Sequence, residues 1–130
     1  MSDEKEIRDL LATYALSLDV GDFEGCMKLF ADGGEFLVYG ETLAGGQIRE
    51  MFTRAPRGMH LCGATLVDPR GDTATARTQV LFINSLTHQL RPALYDDDLV
   101  RSRGRWRFRR RRCQFITANG LSDRPQEQQS

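Results

Sequence analysis

The chain has 130 residues, which suits one domain, and its 40% apolar content is enough for one core. Eighteen basic residues balance eighteen acidic ones, so no global field draws in nucleic acid or an anionic membrane. Three cysteines, Cys26, Cys62 and Cys113, are odd in number and lack a paired short spacing, which disfavours a disulfide framework and a zinc knuckle. A reducing, cytoplasmic setting is expected. The charged opening MSDEKEIRD has no apolar core of a signal peptide, and no run is long enough to span a bilayer.

Ser2 or Asp3 can cap a first helix running to about Leu18, with acidic residues in its first turn. Ile7, Leu10, Leu11, Tyr14, Ala15 and Leu18 recur at helical spacing and define its buried stripe. Asp19 continues that stripe, four residues after Ala15. A carboxylate and the Tyr14 phenol are thus aimed at the interior, where such groups need partners.

Val20-Gly21 breaks the helix. Asp22 can cap a second helix through Ala31, ended by Asp32-Gly33-Gly34, and Glu35 to Tyr39 has strand composition. A third helix is expected from about Gln47 to Arg54, stopped by Pro56 and Gly58. Strand signals follow: Met59 to Val67, a turn over Asp68–Asp72, then Thr73 to about Leu86. Ala74, Ala76, Thr78, Val80 and Phe82 share one face of that long strand. Pro92 to Arg101 and Trp106 to about Thr117 form a last pair, joined at Ser102-Arg103-Gly104.

Helices first and an antiparallel meander second make an α+β layout. One domain is expected over residues 1–118, followed by a solvated tail over 119–130. The sheet curls round the helical layer and leaves a pocket between the first helix and its concave face. The outer face carries Leu81 and Ile83 beside Arg77 and Gln79, and is either covered by another subunit or a mixed solvent face.

His60 begins one strand, and alternation puts it on one face with Cys62, Ala64 and Leu66. If that face is concave, a carboxylate can accept from one imidazole nitrogen and leave the other to take a proton. Asp19 and His60 are the candidate dyad. The residues alone leave a second reading open, in which Asp19 caps the amides of the 20–22 turn and His60 is an edge residue. Tyr14 can hydrogen-bond a developing oxyanion, or be a core tyrosine. Tyr39, Cys62 and Phe82 are expected around the substrate, and His88, near a turn, in solvent. Arg101 to Arg112 holds eight arginines in twelve residues, but without an RNA-binding pattern of glycines and aromatics. Pairing with Asp96, Asp97 and Asp98 is expected instead, and one arginine turned inward can hold an anionic leaving group. There is no phosphate loop, no Cys/His metal spacing and no nucleophile elbow.

Tyr14-x4-Asp19-x2-Asp22, continuing into Leu29-Phe30-Ala31-Asp32, resembles the opening of SnoaL-like proteins of the nuclear-transport-factor-2-like superfamily. His60 at the head of a strand and Tyr95-x5-Arg101-x2-Gly104-x-Trp106-Arg107-Phe108 extend the resemblance over about residues 4 to 117. It implies a cone-shaped, cystatin-like sheet around N-terminal helices. The most similar pattern is the scytalone dehydratase-like branch, whose members use an Asp–His pair without metal or cofactor. Carried over, these roles fall on Asp19 and His60, a dehydratase tyrosine falls on Tyr14, and an arginine five residues after the tryptophan falls on Arg111. Strict alternation puts Trp106 and Arg111 on opposite faces, so both can face the pocket only if a bulge intervenes; otherwise Arg110 or Arg112 takes the place, or the site has no arginine. The chain is shorter than those enzymes between Asp19 and His60, so substrate identity does not transfer. The ketosteroid isomerases share the tyrosine, but their base would fall near Val38, where only a shifted Glu41 is acidic.

The expected function is a cofactor-independent lyase, a dehydratase or dehydrohalogenase, acting on a small apolar or aromatic cyclic molecule. The resemblance also implies a homodimer or homotrimer through the outer sheet face, with no nucleic-acid or membrane partner. A non-catalytic ligand-binding or scaffold module of the same fold is the alternative, as is a cyclase or isomerase. An Asp19–His60 separation of about 3 Å favours the enzyme, and more than about 5 Å the binder.

Overall fold

The computed structural model describes residues 2–126. Helix α1 (Asp3–Asp19) starts at Ser2, whose hydroxyl accepts from the Lys5 amide at 3.2 Å, and Asp3, Glu4 and Glu6 occupy the positive end of its dipole. Ile7, Leu10, Leu11, Tyr14 and Ala15 are its buried stripe. The Asp22 carboxylate accepts from the Gly25 amide at 2.9 Å and caps α2 (Phe23–Met27).

This second helix stops well before Ala31, contrary to the sequence expectation. The chain is already extended at Phe30, which packs on Phe108 at 5.3 Å between ring centres, while the Phe108 amide donates to the Leu29 carbonyl. Strand β1 (Phe30–Val38) therefore contains Asp32-Gly33-Gly34 as an interior bulge. Gly33 has φ +75°, and a Cβ on Gly34 would lie 2.9 Å from the Ala31 carbonyl oxygen, so the glycines bend a strand here and do not end a helix. Tyr39-Gly40, both at positive φ, turn the chain into β2 (Glu41–Ala44), an edge strand too short to show alternation. Helix α3 (Gly46–Arg54) buries Ile48 and Phe52.

Strands β3 (Gly58–Arg70), β4 (Thr73–Asn84), β5 (Leu90–Ser102) and β6 (Arg105–Thr117) form the antiparallel meander. Pairing of β3 with β4 continues to Arg70 and Thr73, so only Gly71-Asp72 turn; Pro69 is tolerated because β3 is the sheet edge. The expected tail begins with β7 (Gly120–Ser122), which pairs with β6; residues 127–130 lie outside the described residues. The sheet order is β2-β1-β6-β5-β4-β3, with β1 parallel to β6. The architecture is α+β, a curved open sheet carrying the helices on its concave face. No helix among the described residues is long and apolar enough to cross a membrane.

Rows of directly paired residues cross the concave face. From the mouth inward they run His60–Phe82–Arg91, Val80–Ala93–Phe115, Thr78–Tyr95–Cys113 and Ala76–Asp97–Arg111–Phe36. Ala74–Leu99–Phe108–Phe30 closes the inner end. Two bulges set which side chains join these rows. In β6 the pairing slips between Asp98 and Leu99 and leaves Arg109 as the extra residue. Trp106 and Phe108 before it, and Arg111, Cys113 and Phe115 after it, are consequently all buried. In β3 the register slips between Cys62 and Thr65, so Val67 packs on the core while Leu66 is 75% exposed. The simple alternation expected from His60 to Leu66 does not hold beyond Cys62.

Candidate active site

Asp19 ends α1, where the negative end of the helix dipole disfavours a carboxylate and no basic residue of the last turn offsets it. Donors from β3 stabilise it. As the edge strand, β3 has outward N–H groups with no neighbouring strand, and the His60 amide donates to Asp19 at 3.0 Å and 3.1 Å to its two oxygens. The His60 ring adds a third contact, Nδ1 to Oδ1 at 2.7 Å. An ionised carboxylate only accepts, so this contact assigns the proton to Nδ1 and leaves Nε2 as the basic nitrogen. Both side chains are largely enclosed, 16% and 18% exposed. The 20–22 turn does not use this carboxylate; the strand does. Burial lowers the His60 pKa below its ordinary 6.5, opposed by the hydrogen bond and charge of Asp19, so the imidazole is neutral near pH 7.

His60 forms part of the wall of an open cleft whose cavity volume is about 90 Å³. Tyr14, Tyr39 and Phe82 also line it, and the Phe82 ring sits 4.9 Å from the imidazole. Tyr14 is buried among the rings of Phe30, Phe52, Tyr95 and Phe108, all in edge-on contact. Burial pushes the phenols of Tyr14 and Tyr95 well above their usual range, so both remain neutral O–H donors. Both tyrosines line the cleft. The arrangement offers one base, one carboxylate behind it and two phenolic donors facing apolar walls. No group of three or more His, Cys, Asp or Glu among the described residues could hold a metal ion.

The sequence profile of the SnoaL-like domain matches residues 1–112. The chain belongs to the SnoaL-like domain family. No curated protein matches it. A protein of unknown function from Mycobacterium tuberculosis is similar at 29% identity and a TM-score of 0.78, covering 87% of this chain and 71% of its own. A nuclear-transport-factor-2-like protein with a cystatin-like fold from Novosphingobium aromaticivorans is 27% identical, with a TM-score of 0.80 over 91% and 86% of the two chains. A hexachlorocyclohexane dehydrochlorinase from Novosphingobium barchaimii shares the fold, at 18% identity and a TM-score of 0.77 over 95% and 89%. Proteins of similar fold thus include a dehydrochlorinase and a protein of unknown function.

Two expected site residues of this SnoaL-like chain fall elsewhere. Arg111 faces inward because of the β6 bulge but does not reach the cleft. Its Nε and Nη2 bond the Asp97 carboxylate at 2.9 Å and 3.3 Å, and its guanidinium lies 4.2 Å, 3.8 Å and 4.4 Å from the ring centres of Tyr14, Tyr95 and Phe108. Tyr14 and Tyr95 form the floor above it, which corrects the expectation that Arg111 meets a leaving group. Cys62 pairs with Val80 but sits on the edge strand, exposed and outside the cleft. Val80, one strand further in, and Cys113 on β6 supply the wall instead. Tyr95, Cys113, Arg57 and Arg91 line the cleft without having been expected there. Two-residue alternation from Ala93 marks Tyr95, whereas Cys113 needs the bulge to be known. His88 is exposed in the β4–β5 turn.

Proposed function

We propose that this protein is a cofactor-independent lyase of the dehydratase or dehydrohalogenase type, acting on a small cyclic or polycyclic molecule. The observation that carries this reading is the 2.7 Å contact between Asp19 and a cleft-lining histidine of lowered pKa. In the proposed step His60 Nε2 takes a proton from a carbon beside a carbonyl or leaving group. The freed electron pair forms the new double bond, and hydroxide or halide departs with the electrons of its own bond. Asp19 stays ionised, fixes the tautomer and stabilises the imidazolium. Tyr14, with Tyr95 beside it, donates to the oxygen on which negative charge develops. An apolar, aromatic wall suits a ring system and limits competing hydration.

Proton abstraction can be tested without knowing the leaving group. Hydrogen–deuterium exchange at the α-carbons of 2-tetralone and related cyclic ketones, followed by NMR, reads the base directly. The wild type is expected to accelerate exchange, with His60→Ala losing about two to four orders of magnitude of it. Asp19→Asn is expected to lose most of it while retaining the fold. No acceleration over buffer, or equal acceleration by His60→Ala, would remove the lyase reading.

A further inference from the structure

We propose that the cleft takes a cyclic carboxylate, with Arg91 holding the carboxylate group and Arg57, also in the wall, adding a second positive charge. This rests on the reading that the cleft is the substrate site and adds the substrate's charge to it. The wall contains no aspartate or glutamate, since Asp19 stands behind His60. Its permanently charged residues are two cations, Arg57 and Arg91. Elsewhere the arginines of this chain are commonly neutralised: Arg77 by Asp96, Arg101 by Asp3, Arg103 by Asp32 and Arg111 by Asp97. Among the described residues no carboxylate pairs with Arg57 or Arg91 within 4.0 Å.

Both cations are held in place by neutral groups. Arg91 donates through Nη1 to the Tyr39 hydroxyl at 3.2 Å and lies 5.9 Å from the Phe115 ring centre. Arg57 lies 5.7 Å from the Phe23 ring centre and fills the space beside Gly21, where a Cβ would be 2.7 Å from its Nη2. Aromatic and glycine contacts orient a guanidinium without cancelling its charge. A planar carboxylate matches that fork and leaves the Tyr39 hydroxyl as a further donor. Arg91 shares a row with His60, one strand removed through Phe82, so their Cα atoms are about 10 Å apart, two strand spacings. A molecule with its carboxylate at Arg91 therefore presents a carbon one or two ring widths away to His60.

Isothermal titration of the purified protein with benzoate, 2-naphthoate and biphenyl-4-carboxylate, each beside its neutral amide, tests this. At least one acid is expected to bind tenfold or more tightly than its amide, with a preference that weakens as salt is raised. Arg91→Gln is expected to bring the acid to the level of the amide, Arg57→Gln to reduce the preference less, and Arg91→Lys to keep part of it. Failure of all three acids to exceed their amides in the wild type overturns the proposal, whatever the variants do. So does a preference that survives in the folded Arg91→Gln/Arg57→Gln protein. Anion preference without ketone exchange would leave this inference standing and remove the lyase reading; exchange without anion preference would do the reverse.

Discussion

The proposed dyad requires a neutral His60, and two opposing effects set its protonation. Burial lowers its pKa and Asp19 raises it, with burial the larger. A proton titration of the His60 ring by NMR is expected to give a midpoint below 6.5. Asp19→Asn removes the charge that raises the value, so its midpoint is expected lower still; a midpoint above that of the wild type would contradict the assignment. On the proposed lyase reading, the acid limb of kcat/KM for exchange should follow the same midpoint. Stability follows with a defined sign. The folded chain binds the His60 proton less readily than the unfolded chain, so this contribution is fully present above pH 6.5. It is lost as the pH falls from there through the lower folded value. The difference between the urea midpoints of wild type and His60→Gln should therefore be constant above pH 6.5 and move against the wild type below it.

At the level of elements, the cleft depends on how closely β3 and β4 approach at its mouth. Gly58 pairs with Asn84, and a Cβ there would lie 2.2 Å from the Ile83 carbonyl oxygen and 2.7 Å from Phe82 Cζ. Backbone cannot yield as a side chain can, so Gly58→Ala is expected to cost about 1–3 kcal/mol and to move Phe82 off the imidazole. Gly63→Ala is the control, because its nearest contact would be the flexible Gln79 side chain at 3.4 Å, and should change the urea midpoint little. Equal effects of the two would refute this packing account. The same elements show what was legible beforehand. Helical spacing from Ile7 to Leu18 marked α1 and aimed Asp19 inward, and strict alternation marked the inner face of β4. Bulges have no such signature. Asp32-Gly33-Gly34 reads locally as a helix stop, and only the long-range pairing of β1 with β6 makes it part of a strand. Cys62 and Leu66 were extrapolated from His60 by period two, and the slip between Cys62 and Thr65 ends that period. Arg111 faces inward through the bulge at Arg109, but its distance from the cleft depends on rings contributed by α1, β5 and β6, which no local pattern reports.

Across the whole molecule, the helices and the sheet meet over the Arg111–Asp97 pair, whose side chains are 1% and 0% exposed. The pair is costly to bury: Arg111 Nη1 has no hydrogen-bond partner, and three aromatic faces stand in for one. Removing one member strands the other charge, so Asp97→Ala and Arg111→Met are each expected to lose about 3–5 kcal/mol. The double variant Arg111→Met/Asp97→Leu leaves no stranded charge and should lose far less than the sum, measurable as a double-mutant cycle in urea. Stability alone therefore gives a weak account of why the pair is there. Its position suggests a second effect. The guanidinium lies beneath the faces of Tyr14 and Tyr95, and its charge makes both phenols stronger donors against the larger effect of burial. The double variant is thus expected to retain ligand binding but to exchange the protons of 2-tetralone at least tenfold more slowly than the wild type. Full exchange activity in that folded variant would reduce Arg111 to a packing residue; a specific loss would make it a positioning residue that acts through the two phenols without touching the substrate.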